Sequence, residues 1–235
     1  MKRDSNLPVS AAMEGINRYS RELSSDEIAD GKHRFEVGGM WDEVGPLQLE
    51  FLRGQGLLPA DTLVDIGCGP MRGGIHFVRY LDDGNYYGID INESLITAGI
   101  EELRAAGLES KHAHLAVTGD FDAQQFGIKF DYVIAISLFT HLYANHIVRC
   151  MKRVREVMAP GTKFYASFFG APSSGHLEPI THVPRITSHF DSDPFHQSVD
   201  ELAYMAKVAG LEMAVIGDWG HPRRQQMALF SRSGS

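Results

Sequence analysis

Cysteine is scarce in this chain: Cys68 and Cys150 are the whole complement. Two thiols make neither a disulfide framework nor a metal-ligand spacing, so no metal is expected. Both are expected to be reduced and packed, with a single bridge between them as the alternative. Long apolar runs are missing as well. No stretch of about 18 residues is apolar enough to span a bilayer, and the opening MKRDSNLPVS has no apolar signal region. The expected setting is cytoplasmic and away from membranes. Positive charge is the minority sign, with 22 Lys and Arg against 30 Asp and Glu and a formal net charge of −8. Nucleic acid is therefore not an expected partner, since such surfaces neutralise phosphates with Lys and Arg. A local basic groove stays open. Internal repeats are absent.

What is present suits a folded enzyme-sized domain. The 235 residues are 43% hydrophobic, enough for a substantial core. Residues 1–59 read as a helical lead-in. SAAMEGINRYSRELSSDEIADGKHRFEVGGMW suggests short helices and turns, and VGPLQLEFLRGQGLLP has Leu47, Phe51 and Leu52 at helical spacing before Gly54 and Gly56. From Asp61 strands and helices alternate. TLVDIG, NYYGID, HAHLAVT, FDYVIAIS and TKFYASFFG read as strands. Between them lie helices over GGIHFVRYL, NESLITAGIEELRAAG and HIVRCMKRVREVMAPG, with a helical turn near DAQQF. Asn92 can cap one helix and Gly107 can end it. Residues 171–197, rich in Pro, His and Ser, read as one long irregular segment. SVDELAYMAKVAG follows as a helix with a Ser198–Glu201 capping box. LEMAVIG and QMALFS are the last strands, antiparallel across the short DWGHPRRQ joint. The tail SRSGS is expected to be a disordered end. This alternation predicts an α/β fold with a mostly parallel sheet, helices on both faces and an antiparallel last strand.

Ligands of such sheets bind beyond the carboxyl ends of the strands. The first of those ends carries LVDIGCGPMRGG, a glycine loop with the wrong spacing for a dinucleotide. Gly67 and Gly69 fit G-x-G, but Arg72 stands at the third fingerprint position. Asp65 would also set a carboxylate beside a pyrophosphate held at a helix N-terminus. Asp90, about 20 residues beyond Gly69, can accept both hydroxyls of a ribose. A nucleoside ligand with a cationic group near Asp65 satisfies both acids.

These residues resemble the class I S-adenosylmethionine-dependent methyltransferases, over roughly 60–232. The acid-x-G-x-G motif stands as Asp65-Ile66-Gly67-Cys68-Gly69, the ribose acid as Asp90, and Ile91 follows where the family packs adenine. TGDFD resembles the adenine-contacting turn, with Asp120 at the amino edge and Phe121 beside the ring. FDYVIAISLFTHL, which includes Ser137, and MAPGTKFYASFF resemble the fourth- and fifth-strand motifs. HRFEVGGMWDEVGPLQLEFL, SLFTHL and DWGHPRRQQMALF narrow the likeness to a bacterial small-molecule branch. Met71 departs from it, standing where many members have glycine. The resemblance implies a seven-stranded Rossmann-like sheet over 60–235, with residues 1–59 as a lid. It implies S-adenosyl-L-methionine as cofactor, held by Asp65, Gly67, Cys68, Gly69, Asp90, Ile91, Asp120, Phe121 and Ser137.

Methyl transfer needs an acceptor aligned about 3 Å from the methyl carbon, and a hydroxyl acceptor needs a base. His141, His221 or a histidine of the long segment can be that base. Trp41, His176, His182, Trp219 and Arg223 are candidates for the wall of the acceptor pocket. No Asn-Pro-Pro-Tyr-like run follows the fourth strand, which argues against nucleic-acid base methylation. Paired glutamates for arginine methylation and an Asp-rich metal arrangement are also missing. The expected reaction is methylation of a small molecule at a hydroxyl oxygen, as on a sugar or secondary metabolite. N- or S-methylation, a nicotinamide oxidoreductase and a non-catalytic cofactor-binding protein are the alternatives. The oligomeric state is not legible.

Overall fold

The computed structural model describes residues 21–232. The expectations for residues 1–20 and 233–235 lie outside the described residues. Three helices lead in: α1 (Ser25–Ala29), α2 (His33–Glu36) and α3 (Trp41–Gly54). The alternating part then runs β1 (Leu63–Ile66), α4 (Gly74–Tyr80), β2 (Tyr86–Asp90), α5 (Glu93–Ala105), β3 (His114–Val117), β4 (Phe130–Ala135), α6 (Ala144–Val157) and β5 (Met158–Ala171). After β5 come β6 (Ile180–Val183), β7 (Ile186–Ser188), β8 (His196–Ser198), α7 (Val199–Ala209), β9 (Leu211–Asp218) and β10 (Gln226–Arg232).

The main sheet has the order β3-β2-β1-β4-β5-β10-β9. The pairs from β3 to β5 are parallel, and β10 is antiparallel to both β5 and β9. Strand side chains alternate between two cores. Val64, Val133, Phe164 and Ala228 pack toward α6 and α7. Leu63, Ile134, Tyr165 and Met227 pack toward α3, α4 and α5. The chain reverses direction across the sheet between β1 and β4, which opens a crevice where ligands of such folds bind.

Local signals read from the sequence recur as geometry. Asn92 Oδ1 accepts from the amides of Ser94 and Leu95, and Ser198 and Glu201 form a reciprocal capping box. Gly107 has a left-handed φ of 67° just past α5. The segment 171–197 corrects the expectation of an irregular loop. Ile180–Val183 and Ile186–Ser188 form an antiparallel hairpin, and His196–Ser198 pairs in parallel with the end of β5. Composition hid a β-branched alternation there, folded over a Pro184-Arg185 turn. α6 also ends earlier than expected, at Val157, because Met158 already pairs with Phe130.

Candidate functional site

β1 delivers Asp65 into the interior and turns at once. The amides of Gly67 and Cys68 both donate to the Ile89 carbonyl, at 2.8 and 3.0 Å. Gly67 and Gly69 have φ of 76° and 53°, a backbone that L side chains rarely adopt. A β-carbon on Gly67 would also sit 3.0 Å from Leu138 Cδ1. At the end of β2, Asp90 accepts from the amides of Gly69 and Asn92, each at 2.9 Å. The two loops are thereby tied together with a carboxylate between them. Asp65 is 4% exposed and accepts from the Tyr86 hydroxyl at 3.1 Å. Burial pushes its carboxyl up to about 7, with the Asp90 charge adding and the Tyr86 bond opposing.

Met71 finds its explanation in packing. It is fully buried at a φ of 69°. A β-carbon on Gly74 would lie 2.5 Å from Met71 Cε, and one on Gly99 would lie 2.6 Å from Met71 Cγ. The methionine fills the seam between α4 and α5 that these glycines leave open.

The crevice is a cavity of about 440 Å³, within the range of small-molecule sites. Its wall includes Asp65, Gly67, Cys68, Gly69, Asp90 and Ile91 on one side, with Phe121 and Ser137 near by. His141, His221 and Arg223 line it from other segments. Five of the expected site residues are not on this wall. Asp120 turns away to pair with Arg149 and Arg153 of α6. Trp41 lies in a separate outer groove, under the Arg34 guanidinium. His176 points to Glu201, at 3.5 Å. His182 stacks on Phe169, ring centroids 4.2 Å apart, and meets Ser188 Oγ at 2.7 Å. Trp219 packs edge-on against Phe51 of α3 and backs His221.

His141 and His221 differ in chemistry. His141 Nδ1 is paired with the Asp193 carboxylate. Asp193 is held there because the Phe195 amide donates to the Thr140 carbonyl at 2.7 Å. In that arrangement Nδ1–H donates to Asp193 and the basic lone pair lies on Nε2. His221 is wired the other way. Its Nδ1 accepts from the Arg223 amide at 3.1 Å, so Nε2 carries the proton, and that atom has no partner in the structure. Burial, together with the Arg72 and Arg223 charges, pushes His221 down to about 3. It is a neutral donor and is poorly suited to the role of base.

Several wall residues escaped the sequence reading. Asp193, Arg185 and Thr187 come from the segment taken as irregular. Gln225 accepts from Ser137 Oγ at 3.1 Å and Ser167 Oγ at 2.6 Å, which ties β4, β5 and β10 behind the cavity. Val37 and Met40 also line the cavity. The strap they flank is clamped by Arg72, whose Nη1 donates to Val37 O and Gly39 O at 3.0 Å each. Arg223 adds a bond to Gly38 O at 2.6 Å. The HRFEVGGMW stretch offered a signal in its paired glycines, but no periodicity told which cation would hold it.

A sheet of this order, with a glycine turn and a strand-end carboxylate at its switch point, defines a doubly wound α/β domain whose crevice suits a nucleoside. Residues 64–164 match the family model described as a methyltransferase domain. A curated relative, the ubiquinone biosynthesis O-methyltransferase of Hydrogenovibrio crunogenus, is 29% identical over 190 residues, covering 73% of this chain and 74% of that protein. Among solved structures, an S-adenosylmethionine-dependent methyltransferase from Clostridium acetobutylicum superposes with a TM-score of 0.64 at 10% identity, over 89% of this chain and 99% of that one. Magnesium protoporphyrin IX methyltransferase from Synechocystis PCC 6803, solved with bound cofactor, does so with a TM-score of 0.60 at 15% identity, over 98% and 100%. Over residues 64–164 the chain is thus similar to a methyltransferase domain, and it shares the fold of S-adenosylmethionine-dependent methyltransferases.

Proposed function

We propose that this protein transfers a methyl group from S-adenosylmethionine to a hydroxyl oxygen of a small molecule, with His141 as the base and Asp193 as its positioning residue. The observation that carries the oxygen assignment is the His141–Asp193 pair on the cavity wall. When bound, the cofactor supplies a sulfonium-activated methyl group. The wall fits it: Asp90, already held by two loop amides, would accept the hydroxyls of a ribose, and the buried Asp65 would meet a cationic group. The glycine turn lets the backbone approach closely.

In the reaction His141 Nε2 takes the acceptor's hydroxyl proton as the oxygen bonds to the methyl carbon. The carbon–sulfur bond breaks with its electrons remaining on sulfur. Asp193 holds the ring by Nδ1 and stabilises the imidazolium that forms. His221 offers Nε2–H for binding. The strap at residues 37–40 covers the cavity from the lead-in, which supports a lid role for residues 1–59.

The test is a pair of variants assayed with labelled cofactor against pooled hydroxylated acceptors. His141→Asn should lower kcat by about 10²–10⁴-fold with little change in cofactor affinity. Asp193→Asn should lower kcat by a smaller factor, because the ring loses its orienting carboxylate while Nε2 is retained. An unchanged kcat in His141→Asn sinks the base assignment and leaves an amine or thiol acceptor, which needs positioning only.

A further inference from the structure

The cavity wall is charge-sorted in a way that the cofactor does not explain. Its carboxylates are Asp65, Asp90 and Asp193, and its full cations are Arg72, Arg185 and Arg223. Every carboxylate is engaged: Asp65 with Tyr86, Asp90 with loop amides, and Asp193 with His141. Asp65 and Asp90 stand on the β1–β2 side. Arg185 and Arg223 arrive from the opposite side, in the segments that follow β5 and β9. On that side two arginines stand with one carboxylate, Asp193, in a chain with a net charge of −8.

Arg185 is the informative member. It is the second residue of the two-residue turn between β6 and β7, at a φ of 70°. Gly or Asn adopts that conformation at less cost, so an arginine there is unusual. Among the described residues it makes no salt bridge or side-chain hydrogen bond, yet it lines the cavity beside Ile186 and Thr187. Across the same cavity, His221 is 4% exposed and its Nε2–H has no partner. A buried donor without a partner costs free energy until a ligand acceptor meets it.

We propose that the methyl acceptor is a hydroxy acid, an oxyanion-bearing small molecule, and that Arg185 reads the anion with support from His221 Nε2–H. This rests on the methyltransferase reading above and names its substrate class. A guanidinium binds carboxylate and phosphate alike through paired N–H groups, so the shared chemistry is an oxyanion. The hydroxyl to be methylated is then presented to His141 while the anion is held at the hairpin tip.

The experiment is calorimetry on the full chain loaded with S-adenosylhomocysteine. Benzoate and inorganic phosphate serve as anionic probes and benzamide as the neutral control. At least one anion should bind about tenfold more tightly than benzamide. Arg185→Gly, which suits the turn's φ, should weaken that anion by about tenfold or more and leave the S-adenosylhomocysteine affinity unchanged. The unchanged cofactor affinity also reports that the variant is folded. Equal binding of the anions and benzamide overturns the proposal. So does an Arg185→Gly variant that weakens S-adenosylhomocysteine alone, because the arginine would then serve the cofactor's own carboxylate. Failure of the wild type to bind S-adenosylhomocysteine overturns the cofactor reading itself, a result distinct from either.

Discussion

Asp65 combines a strand position, near-total burial and a ligand-facing carboxylate, and its titration follows. Between the ordinary value of 3.8 and about 7 the folded protein holds a proton that the unfolded chain releases. Stability of the ligand-free protein from this group therefore falls as pH rises through that window. A cationic ligand favours the ionised form, so cofactor affinity should rise with pH and level off above about 7. The limiting slope is about tenfold per pH unit. Calorimetry of S-adenosylhomocysteine between about pH 6 and pH 8 checks this, and Asp65→Asn should bind weakly with the slope lost. A flat profile in the wild type would show that Asp65 does not meet the ligand's charge. Met71 gives a second residue-scale expectation. Gly99→Ala should destabilise by about 1–3 kcal/mol through overpacking, and Met71→Ala by about 2–5 kcal/mol through the void it leaves. The double variant should cost less than their sum in urea unfolding, because each change relieves the other. Additive costs would mean that the two side chains do not share the seam.

At the scale of elements, the β6–β7 hairpin is pinned by a buried polar chain. His182 Nε2–H donates to Ser188 Oγ at 2.7 Å, the hydroxyl donates to His196 Nδ1 at 2.9 Å, and His196 Nε2–H donates to the His176 carbonyl at 2.5 Å. Ser188 is fully buried. Ser188→Ala strands one donor and one acceptor, at a cost of about 1–3 kcal/mol. The cost should appear as local opening, read as faster amide exchange over residues 176–196, with cofactor binding kept. Uniform loss of protection across the sheet would contradict it. Signals close in sequence made some elements legible in advance. Asn92 caps α5 with its own neighbours, and Ser198 finds Glu201 one turn away. The hairpin was illegible because its histidines look like loop composition. Only the fold pairs His182 with Ser188 and stacks it on Phe169.

For the whole molecule, ligand binding and stability are one equilibrium. S-adenosylhomocysteine at about 100 times its Kd should stabilise the fold by about 2.7 kcal/mol. For a chain of this size that raises Tm by roughly 5–10 °C. NAD at the same concentration should leave Tm unchanged, since Asp65 opposes a pyrophosphate at the glycine turn. A rise with NAD alone would remove the methyltransferase assignment. The lead-in belongs to this scale too. Its attachments to α5 are polar: the Leu23 amide donates to Ser94 Oγ at 2.9 Å, and Arg34 and His33 bind Glu102. Phe35 of α2 is 80% exposed and α1 contributes no buried residue, so little apolar area holds these two helices down, whereas Val44 and Leu52 anchor α3 in the core. That is the composition of a segment that opens before the sheet does.

Sequence alone determined the main path of the sheet, its antiparallel last strand and the glycine turn, and it singled out Asp65 and Asp90. Those depend on periodicity and on residues within a few positions of one another, so neighbours in the chain specify them. Tertiary structure decided the rest of the cavity wall. It sent Asp120 to α6, turned His221 into a donor, paired His141 with Asp193 and carried Arg185 to the cavity. Each of those outcomes depends on which distant segment packs against which. The identity of a hydrogen-bond partner far along the chain leaves no period in the sequence to read.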